Sequence, residues 1–449
     1  MAAPTADVAA QARDRFVADI EAQARANGHA PAWLAERRAA AAVRFAARGL
    51  PSSRDEGWRK TNLQPLARTA FAHGAPVGSV DPAAIARLAL PELPGHRLVF
   101  VNGVYQAEHS RVGPLDGGAR ITTLGAAWRD GDAALAAHYG QVAAGADAPF
   151  ADLNTALAHD GVLVVVPDGV AIEAPIHVVF VGRGGAAPQA HHPRLLVVAG
   201  AHSRATIVES YGALQADDVY FTNAVTEIVL AEGAEIDHTK RQLESEAAFH
   251  IGALQVRQDG ASRFVNHNVA LGGRVVRNDV AVRIDARGCD TLLHGLYMGH
   301  GEQHIDNHTR LDHDQPGCHS FELYKGVLDG RATAVFTGRI MVHLDAQQTD
   351  AVQENRCLLL SGDATIHTQP QLEIFADDVT CTHGASIGEL DAVQLNYLRT
   401  RGIPPAEAHG ILTYAYANEI IERLPVAAVR DELEQLIRSR VRESQRLRD

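Results

Sequence analysis

A chain of 449 residues with 46% hydrophobic and 5% aromatic content can bury a large core or about three domains, which excludes a disordered polypeptide. Lysine and arginine total 41 against 54 acidic residues, so the formal charge of -13 argues against nucleic acid or an anionic membrane as main partner. A protein or a small ligand is expected instead.

No apolar run reaches membrane-spanning length, and the N-terminal residues, with Asp7 and Asp14, lack the apolar core of a secretion signal. A cytoplasmic location is expected. The four cysteines, Cys289, Cys318, Cys357 and Cys381, form no C-x-x-C pair and match neither a zinc ribbon nor a ferredoxin. They predict reduced thiols and no stable cluster held by this chain alone.

In chain order, residues 7–26 and 31–48 predict two amphipathic helices, broken by Asn27-Gly28 and Pro31 and stopped by Gly49 and Pro51. Mixed structure follows over 55–150, with a strand at Arg97–Val101 and an Asn102-Gly103 turn. From about 160 to 380 the pattern becomes short strands rich in valine, isoleucine and threonine between Gly and Asp turns. A glycine, a short residue and then an alternating strand recur at Gly200, Gly233, Gly260, Gly288, Gly317, Gly330 and Gly362, at intervals of 33, 27, 28, 29, 13 and 32.

A period near 28 with little helix predicts the coils of a parallel β-helix, each burying its inner face by stacking on its neighbours. A β-sandwich or cupin barrel is the alternative. Cys289 and Cys318 fall where other coils carry Ala201, Ala234 and Ala261, so both are expected to be small core residues.

After Gly388 the period becomes helical: Leu390–Thr400, a second helix from Pro404-Pro405 to about Leu424, and a third after Pro425 whose last turns carry Arg438, Arg440, Arg442, Arg446 and Arg448. Those arginines suit the helix dipole and are expected in solvent. The expected organisation is a helical module over 1–95, a β core over 96–388 and a helical module over 389–449.

The chain carries no nucleotide-binding P-loop, so any ATP hydrolysis belongs to a partner. Gly182-Arg183-Gly184-Gly185 is followed by Pro188 and Pro193 rather than a helix, and reads as a turn. Strand alternation puts His304, Asp306 and His308 on one face, where they could form a two-histidine, one-carboxylate iron site, although a hydrogen-bonded ladder is favoured. The same alternation puts Val379, Cys381 and His383 on one face, the thiol and imidazole about 7 Å apart. Spacing alone favours a strand-ending Cys packed as a small hydrophobe beside a surface His. The alternative is a ligand pair for iron, but a closed site needs about four ligands, so others must come from elsewhere in the fold or from a second chain.

Arg277-Asn278-Asp279-Val280, Gln303–Thr309, Lys325-Gly326-Val327-Leu328, Phe336–Ile340, Pro370–Ile374, Asp377–Gly388 and Tyr397–Ile403 follow one another in a set order, with Asp55–Thr61 upstream. That order resembles the SufB/SufD family of iron-sulfur assembly scaffolds, its SufD branch more closely. The resemblance implies a right-handed parallel β-helix between helical modules, with no catalytic residues and no tightly bound cofactor. It implies pairing with a SufB-like subunit and docking of a SufC-like ABC-type ATPase on the C-terminal helices; the surface that would meet SufB leaves a homodimer open when the chain is isolated. By the same resemblance His383, with Cys381 beside it, would share transient iron or a nascent cluster with a SufB cysteine. Leu395, Leu398, Ile403, Ile411, Leu412, Tyr414 and Ala415 would meet the ATPase. The rival readings are a mononuclear iron enzyme at His304, Asp306 and His308, a β-helix carbohydrate enzyme, and a purely structural subunit.

Overall fold

The computed structural model describes residues 5–26, 30–73, 80–90, 92–142 and 148–446. Its centre is a parallel β-solenoid of eight coils, each contributing one strand to an eleven-stranded sheet and one to a ten-stranded sheet. Consecutive strands lie in different sheets, and each pairs in parallel with its counterpart one coil away. This pairing excludes the sandwich and the closed barrel.

In the ten-stranded sheet the strands beginning at Arg204, Glu235, Arg263, Asp290, His319, Asp350 and Thr380 start 27 to 31 residues apart, which accounts for the sequence period. The corner before the first six of these strands has one left-handed residue, two positions ahead of the strand; the corner before Thr380 has none. Glycine supplies that residue at Gly233, Gly288 and Gly317, with φ of 65°, 72° and 68°, while His202, Ala261 and Gln348 supply it in other coils. Registering coils on glycine alone therefore slips by two residues at Ala201 and by one at Ala261. The position stacked on Cys289 and Cys318 is held by Ser203, Ala234, Ser262 and Thr349. The interval of 13 separates Gly317 and Gly330, at opposite corners of one coil.

Inward residues of both sheets fill the solenoid, among them Val197, Ile228, Ile236, Val256, Phe264, Leu311, Phe336 and Ile340. Each outer face is covered by helices. The N-terminal helices, Thr5–Ala26 and Ala32–Arg48, join Pro149–Leu157 in packing Phe16, Phe45, Phe150 and Leu153 on Phe221, Phe249 and Ile251 of the eleven-stranded sheet. The Asn27-Gly28 break predicted between the first two lies outside the described residues. Opposite, Pro405–Ile421 and Ala427–Arg446 pack Ala417, Ile420, Leu433 and Ile437 on Leu296, Leu323 and Val327 of the ten-stranded sheet.

The predicted strand at Arg97–Val101 is His96–Val101 and joins the ten-stranded sheet beside Ala171–Gly182. The expectation of a solvated arginine cluster fails at one position. Arg440 is half-buried and donates to the Leu271 carbonyl, tying the last helix down; Arg438 is exposed as expected, with its guanidinium 3.7 Å over the Tyr414 ring, and Arg448 lies outside the described residues. Among the described residues no helix is long and apolar enough to cross a membrane.

Candidate functional site

Thr380–Gly388 is the last strand of the solenoid and pairs on one side only, with Asp350–Leu359. Cys381 stands in register with Ala351 and His383 with Gln353. Ala351 and Gln353 are wholly buried inside the solenoid, so the pleat aims Cys381 and His383 the same way. Among the described residues no coil stacks beyond them. Cys381 is half-buried and packs with Val379 against the interior, whereas His383 is exposed at the open mouth. Around Gly384 there is open space.

Burial, followed by the nearby Asp350 charge, pushes the Cys381 thiol above its ordinary pKa, so it is a protonated thiol at neutral pH. A metal would have to displace that proton, which weakens the ligand. Among the described residues no cluster of three or more His, Cys, Asp and Glu side chains could hold a metal ion. The rim offers two donors, not a complete coordination shell.

Behind the rim an inward column of polar residues runs Glu322, Gln353, His383 in successive coils. The Gln353 amide donates to the Glu322 carboxyl at 2.8 Å, and both are buried. Gly338 makes room for this pair, since a Cβ there would lie 2.3 Å from the Gln353 amide. Burial pushes the Glu322 carboxyl up to about 7 against the hydrogen bonds that favour its ionised form. Neither residue stood out in the sequence. The available signal was inward parity: Glu322 alternates with Tyr324, and Gln353 with Asn355, on the face that should be apolar.

His304, Asp306 and His308 share the outer face of one strand as predicted, but they do not form an open metal site. His304 bonds through both ring nitrogens, to Thr61 at 2.9 Å and to Thr333 at 2.7 Å. Asp306 accepts from Arg277 at 2.9 Å and from Thr61, and faces His308 at 2.9 Å. Its carboxyl is held well below the usual range against its burial, first by His308 and then by Arg277. Arg277 also lies 3.8 Å over the Trp58 ring and donates to the Gly57 carbonyl. Three of the segments that carry the family resemblance, 55–61, 277–280 and 303–309, thus meet as a joint between the N-terminal module and the solenoid. Of the other histidines, His294 and His313 are buried, and desolvation lowers both to about 4; His300 and His319 lie at the surface.

The residues expected to meet an ATPase divide. Ile411 and Ala415 are exposed, while Leu395, Leu398, Ile403, Leu412 and Tyr414 are half-buried between helices. The most exposed apolar side chains of these helices are Val393 and Tyr397, at 77% and 58%, on the predicted first helix, observed as Ala392–Thr400. Spacing alone could not pick them out, because a short helix with two wet faces shows no single stripe. The opposite face is integral to the body: Lys325 bonds Glu419 at 2.7 Å and lies 3.8 Å over the Tyr416 ring.

Comparison with known proteins is consistent with this geometry. Residues 180–416 match the family model described as SUF system FeS cluster assembly, SufBD core domain, and residues 19–178 match the SufBD protein N-terminal region. The chain is 34% identical over 437 residues to an iron-sulfur cluster assembly SufBD family protein of Synechocystis, covering 95% of each. It is 30% identical over 397 residues to the iron-sulfur cluster assembly protein SufD of Escherichia coli, covering 88% of this chain and 89% of that one. To the chloroplastic protein ABCI7 of Arabidopsis thaliana it is 35% identical over 291 residues, 63% of this chain and 61% of that one.

Proposed function

The chain belongs to the SufBD family of the SUF iron-sulfur cluster assembly system, and on that premise we propose that it is a non-catalytic scaffold subunit pairing with a SufB-like subunit and a SufC-like ATPase to build and hand on nascent clusters. The observation that carries this reading is the open last coil, which presents His383 and Cys381 beside an unpaired strand edge. A second chain adding its strand there would complete the sheet and could supply the missing donors. The cluster is cargo: an incomplete set of donors in each chain suits a site that must release what it holds.

His383 supplies an imidazole nitrogen, and Cys381, held protonated, is the weaker contributor. The ATPase docks on the exposed face of Ala392–Thr400, centred on Val393 and Tyr397, with Ile411 and Ala415 beside it. The same open edge would serve a second copy of this chain when the partner is absent.

Anaerobic purification with co-expressed SufB-like and SufC-like partners tests the reading. His383→Ala is expected to lower iron and acid-labile sulfide per complex while the complex still forms. Unchanged cluster content would leave His383 without a ligand role and favour a purely structural subunit. Val393→Glu with Tyr397→Ser is expected to abolish co-purification of the ATPase alone.

A further inference from the structure

Cys289 and Cys318 close successive corners along one edge of the solenoid, and the His319 amide bonds the Cys289 carbonyl at 2.9 Å, which sets them in register. Neighbouring parallel strands lie about 4.8 Å apart. That falls within the roughly 4.4–6.8 Å Cα separation that a disulfide spans. Their side chains converge as well: Cys289 Sγ lies 3.3 Å and Cys318 Sγ 3.2 Å from the same Ala286 carbonyl oxygen. Cys289 Sγ also approaches the Asp259 carbonyl at 3.2 Å and receives the Ser262 hydroxyl at 3.7 Å.

Contact between the two thiols drives their ionisation apart. The hydrogen bond from Cys289 lowers Cys318 to about 6, and the same bond raises Cys289. Cys357, by contrast, is pushed up to about 12 by burial, and Cys381 is also raised. Both corner thiols are buried, but only beneath short turns whose Arg287 and Gly288 are exposed.

We propose that Cys289 and Cys318 are a redox pair that hydrogen peroxide converts into a disulfide between neighbouring coils. The Cys318 thiolate attacks one peroxide oxygen, forming a sulfenic acid and releasing hydroxide, which takes up a proton to leave as water. Cys289 sulfur then displaces the sulfenic oxygen as a second water and the S–S bond forms. Two thiols lose two electrons and two protons, and one peroxide becomes two waters. The link ties one coil to the next, two coils short of the rim strand.

The full reduced chain, with four free cysteines, tests this. After hydrogen peroxide, removal of the oxidant and denaturation, the thiol titre is expected to fall from four to two, with peptides containing Cys289 and Cys318 joined and two hydrogens lost, and to return on reduction. A titre that stays at four, a disulfide involving Cys357 or Cys381, or irreversible oxidation of Cys318 without the linked peptides overturns the proposal. Cys289→Ser should fold, because Ser203 and Ser262 occupy the same corner in other coils. In it, dimedone is expected to trap a sulfenic acid on Cys318, with one thiol lost; loss of two would also overturn the proposal.

Discussion

At its N-terminal end the solenoid is closed by short antiparallel strands, Arg120–Thr123 on Gly161–Val166 and Val104–Tyr105 on His96–Val101. At its C-terminal end Thr365–Ile374 and Thr380–Gly388 pair with no further strand among the described residues. The first end behaves as a capped repeat, with Ile121 and Phe100 buried; the last leaves Phe375 at 59% and Ile387 at 51% exposure. An uncapped parallel edge with apolar side chains is a hazard for a protein that works alone and an asset for one that adds a partner there. The contrast explains why the candidate ligands sit at the last coil: the pleat that buries Gln353 inside one coil exposes His383 in the next.

Matched substitutions give the largest expected contrast. Ile121→Asp places a carboxylate in a packed cap and is expected to cost about 4 kcal/mol or more, whereas Ile387→Asp at the open rim is expected to cost less than about 0.5 kcal/mol. Urea unfolding of the isolated chain measures both. If the two costs were equal, the rim would be covered in the isolated protein.

Next in size is a pH effect just behind the rim. The Glu322 carboxyl titrates near 7 in the folded chain and near an ordinary glutamate value when unfolded, so the folded state holds the proton longer. Its contribution to stability is complete below the unfolded pKa and is lost as pH rises through about 7. Glu322→Gln is expected to remove that loss, gaining on the order of 3 kcal/mol over the parent between pH 5 and pH 8. Parallel denaturation curves at the two pH values check it; an identical pH dependence would mean that Glu322 is hydrated.

The smallest expected effect on the isolated chain is at the rim ligand itself. His383→Ala should shift stability by less than about 0.5 kcal/mol, within the usual range for a surface substitution. A larger loss in urea unfolding would assign the imidazole a packing role in the last coil.

Much of this architecture was legible in the sequence because coil corners and helix caps are local chemistry. Corner glycines fixed the period, and Gly49, Pro404 and Pro405 marked helix ends within a few residues. Alternation correctly put Cys381 and His383 on one face and His304, Asp306 and His308 on another. It could not say which face looked inward, nor that Thr61 and Arg277, far away in the chain, would occupy the polar atoms of His304 and Asp306. Glycine-based registration slipped at Ala261 because an alanine there accepts a φ of 51°, a strain that only the finished coil imposes. The lumenal pair Glu322 and Gln353 was hidden because polar residues within a strand normally mark the solvent face.

The account depends most on the open last coil being where a second chain adds. Amide hydrogen exchange of residues 380–388, measured in the isolated chain and after the SufB-like partner is bound, tests this most directly. Strong new protection across that strand is the expected result. Unchanged exchange there, with protection gained instead over a helical face, would contradict it.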